Sequence, residues 1–142
     1  ISFIQLRTHY NSFAEFEKLT PPDKDAKKRL KKDGMEKNPK YEAYMVKINN
    51  KYAAYIIFFM TYGSFSAMPR LFVEDIFILE EFRRKGLGKK ILDFIVDIAR
   101  NRSCRTVDLN VIDWNKNAIN FYKKNGFKFV NWELYRLELM KK

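Results

Sequence analysis

The sequence predicts a single α/β domain over residues 1–142, a mixed sheet with helices on both faces. Three observations predict it. Short apolar runs of strand character alternate with amphipathic stretches of helical period. One run, "YAAYIIFFMTY" at 52–62, is apolar almost throughout, as a central strand covered on both faces must be. Apolar residues make up 46% of the chain, enough to fill a core for a chain of this length.

The elements follow in order. "ISFIQLR" (1–7) reads as a first strand and "NSFAEFEKL" (11–19) as a short helix stopped by Pro21 and Pro22. "DKDAKKRLKKDG" (23–34) reads as a second helix, with Gly34 as its C-terminal stop. "YEAYMVKI" alternates and suits a strand with one wetter face. "NNK" then makes a tight turn into the central run, giving a hairpin. "RLFVEDIFIL" (70–79) is a further buried strand with two acids inside it. After the next loop, Ile91, Leu92, Ile95, Ile98 and Ala99 share one helical face. "TVDLNVI" is a strand, "NKNAINFYKKNGF" a helix with a glycine stop, and "NWELYRLEL" a last strand. No repeat and no internal linker interrupts this order.

Composition narrows the chemistry. The net charge is +11, which suits an anionic partner or simply a lysine-rich soluble protein. One cysteine, Cys104, excludes an internal disulfide and a cysteine metal cluster, and points to an intracellular, cytoplasmic protein. The one histidine, His9, argues against a Ser/His/Asp triad and against a histidine metal site, so no metal is expected. Carboxylates, tyrosines, lysines and backbone dipoles remain. The apolar run at 52–60 is too short to cross a bilayer.

The loop in "EEFRRKGLGKKILDFIV" (80–96) lies between a buried strand and an amphipathic helix. Gly86 and Gly88 remove side chains where the backbone turns. Unpaired amides there and at the helix start can face an anion, with Arg83, Arg84, Lys85, Lys89 and Lys90 around them. A diphosphate is the natural guest. The glycines are too close together for a P-loop, and Ile91 stands where a dinucleotide fingerprint needs its third glycine.

Arg83, Gly86 and Gly88 give R-x-x-G-x-G after a strand and before a helix, followed downstream by "DWNKNAINFYKKNGF". This pair of motifs resembles the GNAT N-acetyltransferases, closely over Leu71–Phe127 and more loosely over the whole chain. "LFVEDIFILEEFRRKGLGKKIL" with "VIDWNKNAINFYKKNG" is most similar to the diamine (spermidine/spermine) and thialysine N-acetyltransferase branch. The resemblance implies the acyl-CoA N-acyltransferase fold, mostly antiparallel and splayed at its central strands. It implies acetyl transfer from acetyl-CoA to a primary amine, a diamine, polyamine or similar small amine, and a homodimer.

The resemblance also implies roles. Backbone groups of Ile76, Phe77 and Ile78 would bind the pantetheine like an added strand, freed by a bulge or splay. The amides of Arg84, Lys85, Gly86, Leu87, Gly88 and Lys89 would cradle the pyrophosphate. Asn110, Asn115, Asn117 and Ala118 would meet the coenzyme from the opposite side, with Asn115 equally readable as a helix N-cap. Tyr122 would be the general acid, since a phenol stays protonated at neutral pH; it also reads as a core tyrosine beside Phe121. Glu74 would be the base, and Asp75, Asp108 and Trp114 would line the acceptor side. Alternation sends Glu74 and Asp75 to opposite faces. Cys104 reads as inert packing and His9 as surface.

One segment departs from the branch. "KDAKKRLKKDGMEKNPK" is cationic where acceptors with several ammonium groups favour acids. It would suit a zwitterionic amine or an acidic peptide, or it is a solvated helix face. A protein or ribosomal N-terminal acetyltransferase is the alternative enzyme. A basic nucleic-acid-binding module and a non-catalytic acyl-CoA sensor are the alternatives outside catalysis.

Overall fold

A computed structural model of the chain describes residues 1–9, 12–20 and 23–140. The expected helix stop at Pro21 and Pro22, and the first residue of the first expected helix, Asn11, lie outside the described residues. The chain divides into two compact units, Ile1–Asn110 and Val111–Lys142.

The first unit holds β1 (Ser2–Gln5), α1 (Phe13–Leu19), α2 (Lys24–Met35), β2 (Glu42–Ile48), β3 (Lys51–Gly63), β4 (Met68–Ile78), α3 (Leu87–Asn101) and β5 (Val107–Leu109). A 3₁₀ turn at Glu80–Phe82, absent from the sequence expectation, opens the basic loop. The sheet order is β1-β2-β3-β4-β5, antiparallel except for the parallel β4–β5 pair.

Strand alternation builds two cores. On one face Val46, Ile56, Phe58 and Leu71 meet Leu87, Ile91, Ile95 and Ala99 of α3. On the other, Met45, Tyr55 and Ile57 meet Phe13 and Phe16 of α1, with Leu30 and Met35 of α2 at the margin. Residues 53–58 of β3 are buried consecutively, which is why the run carries no polar face. Each fully buried side chain of this kind contributes roughly 1.5–3 kcal/mol. Asn49 and Asn50 both take positive φ (48° and 67°), the two-residue turn that matches strand twist in a hairpin.

The expected end of α2 is corrected. Gly34 does not stop α2: the helix continues to Met35 and is capped at Glu36. Gly34 is instead demanded by packing. A Cβ there would lie 2.5 Å from the Tyr41 hydroxyl, which donates to the Leu30 carbonyl. At the start of α2, the Asp23 side chain accepts from the amides of Asp25 and Ala26.

The second unit holds α4 (Lys116–Lys124), closed by Gly126 at φ 92°. Residues 128–139 form no strand, contrary to the expectation for "NWELYRLEL". A strand exists only through a paired neighbour, and alternation of side chains cannot supply one. Trp132, Tyr135, Leu137 and Leu139 are all more than 80% exposed.

Candidate active site

β4 makes the site of the first unit. Ile57 pairs with Asp75 and Phe58 with Val73, so Glu74 is an extra residue in a bulge. The extra residue interrupts strict alternation, so period alone does not assign the face of Glu74. Asp75, directly opposite Ile57, faces the α1–α2 side. Both carboxylates reach solvent. Partial burial pushes the Asp75 carboxyl above its ordinary value, and the charge of Glu74 adds to the shift. Tyr55, stacked on Phe77 at 5.6 Å, has its phenol pushed up to about 12 by burial, with the Asp75 charge contributing. Sequence reasoning missed Tyr55 because its only signal was one more aromatic in an apolar run.

The sheet is splayed beyond the bulge. β5 accompanies β4 only at Leu71–Val73, so the following stretch of β4 has β3 on one side alone. The Leu79 amide donates to the Ala53 carbonyl, which sets the ladder's phase. By alternation, Ile76 and Ile78 turn their main-chain groups to the open edge, whereas Phe77 turns its own toward Tyr55. Two of the three expected residues therefore present backbone at that edge. The Ile78 carbonyl accepts from Arg83 Nε at 2.7 Å, and the same guanidinium lies 5.8 Å from the Phe77 ring.

The loop after β4 leaves a run of amides without backbone acceptors. Arg84 and Gly86 take positive φ (59° and 81°), and Gly86 is the N-cap of α3. Among the described residues no amide from Arg84 through Lys89 donates to a backbone carbonyl. Lys90 is the first to do so, to Gly86 at 3.4 Å. Six consecutive amides at the positive end of a 15-residue helix make a concave donor set. Lys89 is held by Asp93 (3.1 Å), while Lys85 and Lys90 line a neighbouring hollow of about 380 Å³.

Asp108 lies half-buried on β5, with Asn110 exposed beyond it. In the second unit the Asn115 side chain caps α4 by accepting from Ala118. Asn117 is exposed, and Trp114 is 71% exposed. Tyr122 packs between Phe121 and Phe127 at 5.3 and 5.5 Å, and burial raises its phenol above the ordinary value. It stays a proton donor at neutral pH. Cys104 sits 3.7 Å from the Met60 sulfur, its thiol pushed up by burial, and His9 is exposed.

A family profile described as the acetyltransferase (GNAT) family matches residues 3–127. The chain belongs to this family. The acetyltransferase is 29% identical over 137 residues to a mouse thialysine N-epsilon-acetyltransferase, covering 88% of this chain and 80% of the relative. It is 44% identical over 86 residues to an Arabidopsis thaliana L-ornithine N5-acetyltransferase, covering 60% of this chain and 38% of the relative. In fold it matches the aminoglycoside N-acetyltransferase AAC(6')-Iy in complex with a bisubstrate analogue, with TM-score 0.80 at 16% identity over 98% of both chains. The cofactor of the family is acetyl-CoA, and the free amides of residues 84–89 fit its diphosphate. Among the described residues no helix is long and apolar enough to cross a membrane, and no group of side chains has metal-ligand spacing.

Proposed function

We propose that this acetyltransferase acts on a small primary amine, of the diamine, polyamine or amino-acid side-chain kind, in one domain spanning both units. The observation that carries the reading is the sequence of features along one strand: a bulge bearing Glu74 and Asp75, an open backbone edge, then a loop of free amides. The two relatives named for thialysine and ornithine support a small amine over a protein acceptor.

The division of labour follows from the residues. The loop amides and the β4 edge hold the coenzyme, which supplies the acetyl thioester when bound. The amine must be neutral to attack, so Glu74, with Asp75 beside it, takes its proton. As the new C–N bond replaces the C–S bond, Tyr122 would give its proton to the departing sulfur, and the proton shed by the acylated nitrogen would restore the phenol. A thiol-release assay over putrescine, spermidine, ornithine, thialysine and short peptides tests the reading. Turnover confined to peptides would replace it with a protein acetyltransferase. The homodimer is proposed on the exposed apolar side chains of residues 128–139, which a second copy would cover.

A further inference from the structure

The outward face of α2 is almost wholly cationic. Lys24, Asp25, Lys28, Arg29 and Lys32 are its exposed residues, spaced as one helical face. Four of the five carry positive charge and none is apolar. Leu30 and Met35 turn the other way and pack on the core of the first unit. Residues 23–40 hold eight Lys or Arg against four Asp or Glu, so four of the chain's eleven surplus charges fall on this short stretch.

The acids nearby leave that charge uncompensated. Asp33 and Glu36 both engage Lys40, at 2.9 and 3.9 Å. Asp23 caps the helix by accepting from the amides of Asp25 and Ala26. Among the described residues no ion pair involves Lys24, Lys28, Arg29 or Lys32. Lys24, Lys28 and Lys32 stand in a row about 12 Å long at the usual helical rise. Beyond the helix, Arg7 Nη2 donates to the Lys37 carbonyl at 2.8 Å, which adds two exposed cations at that end.

We infer that this face binds double-stranded DNA through its phosphate backbone, a binding function separate from acetyl transfer. Lysine meets phosphate as a point charge, and duplex DNA carries one charge per roughly 1.7 Å of axis. A helix lying on a bilayer needs apolar residues to bury, and this face has none. Protein interfaces are depleted of lysine at their centre and rest on aromatic anchors. Single strands are held by stacking on aromatic rings, whereas Phe13, Phe16 and Tyr41, the aromatics flanking α2, are all buried. Duplex RNA hides its major groove, while that of DNA, about 12 Å wide, admits a helix. Backbone contact carries the binding, so base sequence counts for little.

Fluorescence anisotropy of a labelled short DNA duplex, without acetyl-CoA, tests the inference. The wild type should bind with a Kd of about 10⁻⁴–10⁻⁶ M near physiological salt. The logarithm of its affinity should fall with that of salt at a slope of about −4 to −5, from four to six neutralised phosphates. Lys24→Gln/Lys28→Gln/Lys32→Gln should make the slope shallower by about 2.7. Lys51→Gln/Arg105→Gln/Lys128→Gln removes equal charge from exposed positions elsewhere and should move it by less than about 1. Circular-dichroism melts confirm that both variants fold. Duplex RNA, single-stranded DNA, phosphatidylserine vesicles and polyglutamate are the comparison probes. No binding of duplex DNA, equal losses in the two triple variants, or binding of any comparison probe as tightly as duplex DNA overturns the inference.

Discussion

Gly86→Ala isolates what the coenzyme loop requires of its backbone. Gly86 sits at φ 81° and caps α3, yet a Cβ built there meets nothing within 4 Å. Steric exclusion is therefore absent, and the cost is conformational. Holding an L-residue in the left-handed region costs about 1–2 kcal/mol. The loop can absorb that as strain or relax toward negative φ, which turns the amides of residues 84–89 out of register. Relaxation weakens coenzyme binding by roughly 5- to 30-fold, because binding must restore the left-handed turn and 1.4 kcal/mol is a factor of ten, whereas strain kept in both free and bound states lowers Tm instead. Isothermal titration of coenzyme A measures it directly, without turnover. Gly86→Asn supplies the control, because asparagine tolerates this region better and should lose less. Wild-type affinity together with wild-type Tm in Gly86→Ala, or equal losses in both variants, would refute the argument that backbone handedness positions the amides.

Four other outcomes follow from the geometry. Gly34→Ala should lower Tm although helix propensity alone favours alanine by up to about 1 kcal/mol, because displacing Tyr41 takes its part-buried hydroxyl off the Leu30 carbonyl at about 1–3 kcal/mol; a higher Tm would show that Tyr41 moves freely. Tyr122→Phe should cut kcat by about a hundredfold or more with little change in acetyl-CoA KM, as loss of a general acid does; parallel losses would reassign Tyr122 to packing. The folded state holds the Asp75 proton more readily than the unfolded chain, so its contribution to stability falls as pH rises above 3.8, and Asp75→Asn should gain on the wild type in thermal melts across that rise; a constant difference would remove the shift. Leu137→Lys should move the protein from dimer to monomer in sedimentation, and a monomeric wild type would remove the dimer.

Much of the fold was legible because its signals are local. The unbroken run at 52–62 could only be a covered central strand, and Asn49–Asn50 a hairpin turn. The spacing of Arg83, Gly86 and Gly88 between a strand and a helix marked the loop whose amides find no backbone acceptor. Gly34 was misread because a glycine near a helix end is a common stop, while its actual constraint, the Tyr41 ring, comes from another element.

The sequence by itself determined the family, the basic glycine loop between a strand and a helix, and the two carboxylates in an apolar strand, since each is written in contiguous residues. Tertiary structure decided the rest. Pairing with β3 places the bulge at Glu74, turns Asp75 toward the α1–α2 face, and leaves Ile76 and Ile78 open at the edge. Folding also brings Arg102 onto both oxygens of Glu42, sixty residues away in the chain, and Lys40 onto Asp33. Charge compensation and strand register join residues far apart in the chain, and no local pattern encodes such a sum.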